Sequence, residues 1–195
     1  PRGVRDAVLY NENGIGFRVV ELGPHEGERM TASIADINGD GLPDIFLGAY
    51  VHEFDPKSTT VSDGVTLYVR NTAGGYDDVT ASLPKEVHGG LAFQGAWVDV
   101  DQDHDLDLYL AHDCYMDGAC VLPPLLLIND GTGHFSVAEN CWCDNPISAM
   151  GVAVGDANND GFLDLLVTNI GEYAYYQNAQ DGSFVYATQA AGLVP

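Results

Sequence analysis

Short apolar runs alternate with clusters of Gly, Asn and Asp along the whole chain. Runs of four to six residues bounded by turn residues predict β-strands, since a helix needs a longer periodic stretch. Thr31–Ala35, Gly95–Val98 and Gly151–Val154 each lead into an Asp-rich cluster, and Asp44–Leu47, Asp107–Leu110 and Asp164–Val167 each lead out of one. Further along, Val65–Arg70, Leu125–Asn129 and Tyr173–Asn178 are followed by Gly74–Thr80, Gly131–Val137 and Asp181–Ala187. Each of these pairs reads as a hairpin with a Gly-containing turn. The chain is therefore a repeat of four strands in about 60 residues, the pattern of a propeller blade. Ala7–Tyr10 and Gly16–Val20, around Asn13-Gly14, read as the last two strands of a preceding repeat. The predicted fold class is all-β, with antiparallel four-stranded propeller blades, about three and a half of them. The expected divisions are an outer hairpin at 1–28 and blades at 29–88, 89–146 and 147–195.

The three polar clusters align without gaps, and their first residues lie 63 and then 57 apart. With the first Asp as position 1, each has Asp at 1, Asp or Asn at 3, Asp at 5 and Asp at 9. The sets are Asp36, Asn38, Asp40 and Asp44; Asp99, Asp101, Asp103 and Asp107; Asp156, Asn158, Asp160 and Asp164. Position 7 offers a further backbone carbonyl, from Leu42, Asp105 or Phe162. Oxygen donors at alternating positions of a tight turn suit Ca²⁺, a hard cation that takes six to eight oxygens, better than Mg²⁺, which keeps its waters. Three Ca²⁺ ions are expected. An EF-hand needs a bidentate Glu at position 12 and flanking helices. Position 12 here is Leu47, Leu110 and Val167, and the flanks are strands, so that reading is rejected.

Charge sharpens this picture. The chain of 195 residues carries 29 acidic and 7 basic side chains, a formal net charge of −22, with Lys57 and Lys85 its sole lysines. Nucleic acid and anionic membranes require clustered basic residues and are poor partners; neither nucleic-acid binding nor membrane insertion is expected. Self-repulsion of this size is relieved either by solvation of the surface or by bound cations, and the regular spacing of the Asp clusters favours cations. No apolar run reaches the ~18 residues of a membrane span, and the longest, Val121–Ile128, contains Pro123 and Pro124. With no signal peptide and no initial Met, the chain reads as a mature protein or a fragment.

Strand alternation places Cys114, Cys120, Cys141 and Cys143 at one corner, opposite the Asp loops. Two disulfides in an oxidising compartment fit better than a zinc site, whose usual spacing is absent. The pairing stays open, with bridges between the two segments preferred over a small Cys141–Cys143 ring. The insertions Tyr50–Asp63 and Ala111–Pro124 lie at that end too, and Tyr50, His52, Phe54, Tyr115, Met116 and Trp142 are candidates for a ligand surface. No nucleophile elbow, phosphate-binding loop or metalloprotease motif occurs, so the chain reads as a non-enzyme.

The three Asp loops, Leu127-Ile-Asn-Asp-Gly-Thr-Gly-His-Phe135 and the tail Tyr176-Gln-Asn-Ala-Gln-Asp-Gly-Ser-Phe184 followed by Ala191-Gly-Leu resemble the FG-GAP/VCBS repeat family. That family includes integrin-α-like propellers and, closer to this chain, secreted UnbV-like and cartilage-acidic-protein-like proteins. The resemblance covers nearly the whole chain and implies a seven-bladed ring with Ca²⁺ in the loops between strands 1 and 2, held by the residues named above. His104 departs from the pattern by standing where the other two loops have Gly at position 6. The open edges of three and a half blades imply further blades or a partner chain that completes the ring, or a small four-bladed closure. The function expected is a calcium-binding secreted module, extracellular or periplasmic, acting in protein or glycan binding, adhesion or assembly. The alternative is a fragment of a polysaccharide-active propeller enzyme.

Overall fold

The computed structural model describes residues 6–23, 28–50, 64–88, 91–116, 119–120 and 122–193. Strands β1 (Ala7–Glu12) and β2 (Gly16–Glu21) form a hairpin. Strands β3 (Glu28–Ala35), β4 (Asp44–Tyr50), β5 (Val65–Arg70) and β6 (Tyr76–Asp78) form the first four-stranded sheet. The second sheet begins with β7 (Ala92–Val98) and β8 (Asp107–His112). A side hairpin of β9 (Tyr115–Met116) and β10 (Ala119–Cys120) interrupts it before β11 (Leu125–Asn129) and β12 (Phe135–Val137) complete it. The third sheet is β13 (Gly151–Gly155), β14 (Asp164–Thr168), β15 (Ala174–Asn178) and β16 (Phe184–Tyr186). Each four-stranded sheet is an antiparallel meander, as propeller blades are, with β9 and β10 inserted between the paired strands β8 and β11 of the second. The fold is all-β: three blades and an outer hairpin.

Blade stacking explains the apolar runs. Strand β8 is buried along its whole length. Its Leu108 and Leu110 pack with Phe46, Leu67 and Val87 of the first blade region. Its Tyr109 and Ala111 pack with Leu165, Val167 and Tyr176 of the third blade. Alternate side chains point to opposite faces, so a strand covered on both sides must be continuously apolar. Blade contact is close enough to require glycine twice among the described residues: a Cβ at Gly48 would lie 2.5 Å from Ala92 O, and one at Gly95 2.5 Å from the Phe46 ring. On the other side Gln94 joins blade three as a backbone would, accepting from Val152 N at 2.8 Å and donating to Val152 O at 3.1 Å.

Burial weakens toward both ends of the stack. On the hairpin and β3, Leu9, Phe17, Val19, Met30 and Ile34 are exposed; on blade three, Val154, Val185 and Tyr186 are. The hairpin covers blade one in part: Leu22 packs on Ile45, Leu47 and Tyr68, and Asp6 just before β1 pairs with Arg29 of β3.

Candidate metal centre

Each Asp loop closes an identical register: Ala35 pairs with Asp44, Val98 with Asp107 and Gly155 with Asp164. Eight residues must then turn between paired strands. They do so with left-handed backbone at positions 4 and 6 in every copy: Gly39 and Gly41, Gln102 and His104, Asn159 and Gly161. Successive N–H groups thereby point inward, toward carboxylates that would otherwise repel one another.

In the first loop, Asp36 Oδ1 accepts from Asp40 N at 3.1 Å and its Oδ2 from Gly41 N at 2.7 Å. Asn38 Oδ1 also accepts from Asp40 N, and Asp40 Oδ1 from Leu42 N. The third loop repeats this set through Asp156, Asn158 and Asp160. Its Asp160 also accepts from Gln180 Nε2 at 3.1 Å.

The second loop differs at its first residue. Asp99 Oδ2 accepts from His104 N at 3.2 Å, while Asp99 Oδ1 is buried without a partner among the described residues. One carboxylate oxygen each from Asp99, Asp101 and Asp103 lie within 4.8 Å of one another. Burial, then the neighbouring Asp103 charge, raises the Asp101 carboxyl above its ordinary value. The donors are all oxygen and all anionic, and one buried oxygen lacks any hydrogen bond. A divalent oxygen-seeking cation satisfies that chemistry.

Position 9 turns inward, beneath the loop. Asp44, Asp107 and Asp164 are buried, and each accepts two backbone hydrogen bonds. One comes from position 2 of its own loop: Ile37 N at 3.0 Å, Val100 N at 3.1 Å and Ala157 N at 3.0 Å. The other comes from the end of the third strand: Arg70 N at 2.8 Å, Asn129 N at 2.9 Å and Asn178 N at 2.9 Å. Burial pushes the Asp107 carboxyl up to about 6 against the lowering effect of those two amides. The spacing marked these three residues as ligands; the structure also makes them braces that hold loop to blade. Of the position 7 residues, Leu42, Asp105 and Phe162 each donate their N–H to the position 5 carboxylate.

Asn129 and Asn178 carry no metal-ligand spacing and were missed by the sequence reading. Their shared place, after Leu127-Ile and after Tyr176-Gln at the end of a third strand, was the available signal.

The cysteines pair otherwise than expected. Cys141 and Cys143 are bonded to each other, with Cα atoms 5.3 Å apart, and Cys114 is also disulfide-bonded. The small ring forms because Trp142 between them takes a left-handed backbone, φ 56°, which brings the two ends together. Nor do all four lie at one corner. Cys141 O accepts from Phe184 N, opposite Asn178 at the Asp-loop end of blade three, whereas Cys114 N donates to Ile147 O. Of the candidate ligand surface, Trp142 is exposed. His52 and Phe54 lie outside the described residues, as do the side chains of Tyr50, Tyr115 and Met116.

Comparison with known proteins agrees with the blade architecture. A family model described as an FG-GAP-like repeat matches residues 117–167, a span that contains the third Asp loop. No curated protein matches the chain by sequence. Among solved structures, an Agrocybe aegerita lectin, studied for its specific recognition of non-reducing terminal N-acetylglucosamine, is 19% identical with a TM-score of 0.55. The alignment covers 94% of this chain and 46% of the lectin chain. The chain thus spans less than half the length of that lectin, and the likeness is one of fold. The motif resemblance to FG-GAP repeats therefore has a family match behind it and a propeller-like fold around it. Among the described residues, no helix is long and apolar enough to cross a membrane.

Proposed function

We propose that the chain is a calcium-stiffened section of a β-propeller that binds protein or glycan outside the cell rather than catalysing a reaction. The observation that carries this reading is the convergence of Asp99, Asp101 and Asp103 around a buried oxygen with no hydrogen-bond partner. Two further loops share the same backbone turn, which supports one Ca²⁺ in each. Bound Ca²⁺ would neutralise six of the formal −22 charges and supply structural rather than chemical work. The disulfide-bonded cysteines support an oxidising compartment. A binding role accords with the lectin's similar fold, and terminal N-acetylglucosamine is the first glycan to try. The apolar faces at both ends of the stack support further blades, from this protein or a partner chain, that complete a ring.

Thermal unfolding tests the calcium reading directly. An ion that binds only the folded chain adds about 2.7 kcal/mol per site at a hundredfold excess over Kd. The melting temperature should rise with millimolar Ca²⁺ and fall with EGTA. Melting indifferent to both removes the calcium reading. A glycan array probed with the Ca²⁺-loaded chain separates glycan from protein ligands, since only a glycan-binding surface should retain the chain.

A further inference from the structure

The three Asp loops are joined by one unbroken series of hydrogen bonds. It starts at Asp44, which accepts from Ile37 N in its own loop. The carbonyl of the same Ile37 accepts from Asn129 Nδ2 of the next blade at 2.8 Å. Asn129 N donates to Asp107, which also accepts from Val100 N of the second loop. Val100 O in turn accepts from Asn178 Nδ2 of blade three at 2.8 Å. Asn178 N donates to Asp164, which accepts from Ala157 N of the third loop. Both asparagines are buried, and each second amide hydrogen reaches position 8 of its own loop, Leu106 O or Leu163 O. Each side chain thus holds two loops at once: its own and that of the blade before. Loops two and three have one further link, Gln102 Nε2 to Gly161 O at 2.8 Å.

We infer that Asn129 and Asn178 are positioning residues that couple cation binding between neighbouring loops. The inference rests on the calcium reading proposed above. Position 2 lies between the ligands at positions 1 and 3, so fixing its peptide fixes how those two carboxylates or amides are aimed. An ion that orders one loop orders the position 2 peptide. It thereby orders the asparagine held on that peptide, and through it the neighbouring loop. The second ion then meets a loop whose conformational freedom is already reduced, and it binds more tightly. Reciprocity requires the same factor in both directions. The middle loop is coupled on both sides, the outer loops on one side each.

The amides of Gly41, His104 and Gly161 test this. Each donates to the position 1 carboxylate of its own loop, so each reports one site. Ca²⁺ is titrated into the full chain and the three amides are followed by NMR. Asn178→Ala should raise the Ca²⁺ midpoints at His104 and Gly161 by about fivefold, the low end of ordinary coupling, and leave Gly41 in place. Asn129→Ala should move Gly41 and His104 and leave Gly161. Gln102→Ala, at an exposed residue that does not threaten folding, should move His104 and Gly161 by a smaller factor. Unchanged midpoints, or all three shifting together in every variant, overturn the coupling, because a merely structural asparagine would weaken the fold without this pattern. If no amide of the native chain responds to Ca²⁺, the calcium reading fails instead. The hydrogen-bond series is then judged alone by amide exchange in the metal-free chain. Asn178→Ala should speed exchange at Val100 and Asn129→Ala at Ile37, and no change at either amide overturns the series.

Discussion

The middle Asp loop and the two outer ones share a backbone but solve its electrostatics differently. The outer loops have Asn at position 3 and Gly at position 6, and two loop amides close over the oxygens of Asp36 and of Asp156. The middle loop is all carboxylate at positions 1, 3 and 5, keeps one Asp99 oxygen unpaired, and forces His104 to φ 75°. It has traded internal hydrogen bonds and backbone ease for open anionic oxygen. It can do so because it is clamped from both sides, by Asn129 toward the first loop and by Asn178 and Gln102 toward the third. The lesson is that a loop can leave carboxylate oxygens open when its neighbours, rather than its own amides, hold it in shape.

The most damaging way to break this comparison is Asp107→Ala. It strands the buried amides of Val100 and Asn129, and leaving two such donors unsatisfied costs about 3 kcal/mol. Urea unfolding should show a larger loss for this variant than for Asp44→Ala, which also accepts two backbone amides but whose loop is clamped on one side only; equal losses would contradict the shared clamp.

Acid should weaken the middle blade next. Complete burial pulls the His112 imidazole down to about 4, with its Nδ1 3.0 Å from Pro123 O and its Nε2 without a partner among the described residues. The unfolded chain takes up a proton below about 6.5 that the folded chain refuses. Stability therefore falls as pH drops from about 6.5 to about 4. Between pH 7 and pH 5 the native chain should lose about 2 kcal/mol more than His112→Leu. That difference cancels the opposite contribution of Asp107, whose raised carboxyl favours the folded state as pH falls toward 4. Parallel pH profiles would refute it.

The smallest change sharpens the contrast. His104→Gly relieves a left-handed backbone and should stabilise the chain by about 1 kcal/mol, while Gly161→His should cost about as much. Paired denaturation curves check both signs.

The strands and the loops were legible in the sequence because their signals are local. Apolar runs between turn residues gave Val65–Arg70 and Leu125–Asn129 their bounds, and the Asp spacing placed all three loops between paired strands. What lay hidden depends on neighbours or on unfavourable backbone. The left-handed turn at position 4 is plain for Gly39 but not for Gln102, a residue with no turn signature. The Cys141–Cys143 bond depends on the same conformation at Trp142. The bracing by Asp44, Asp107 and Asp164 reads as one more ligand until the third-strand amides above them are placed. Asn129 and Asn178 act between repeats, and no spacing within one repeat can express that.

One end of each blade is fixed, and the other is where length varies. The loop joining the first two strands is the same size in all three blades. The stretch from the second strand to the third runs from Tyr50 to Val65, from His112 to Leu125, and from Thr168 to only Ala174. New segments can therefore be inserted at the far rim without disturbing any Asp turn. A scaffold of this kind separates the part that must be inherited unchanged from the part that can be rewritten, and any change of ligand should be sought in the rewritten part.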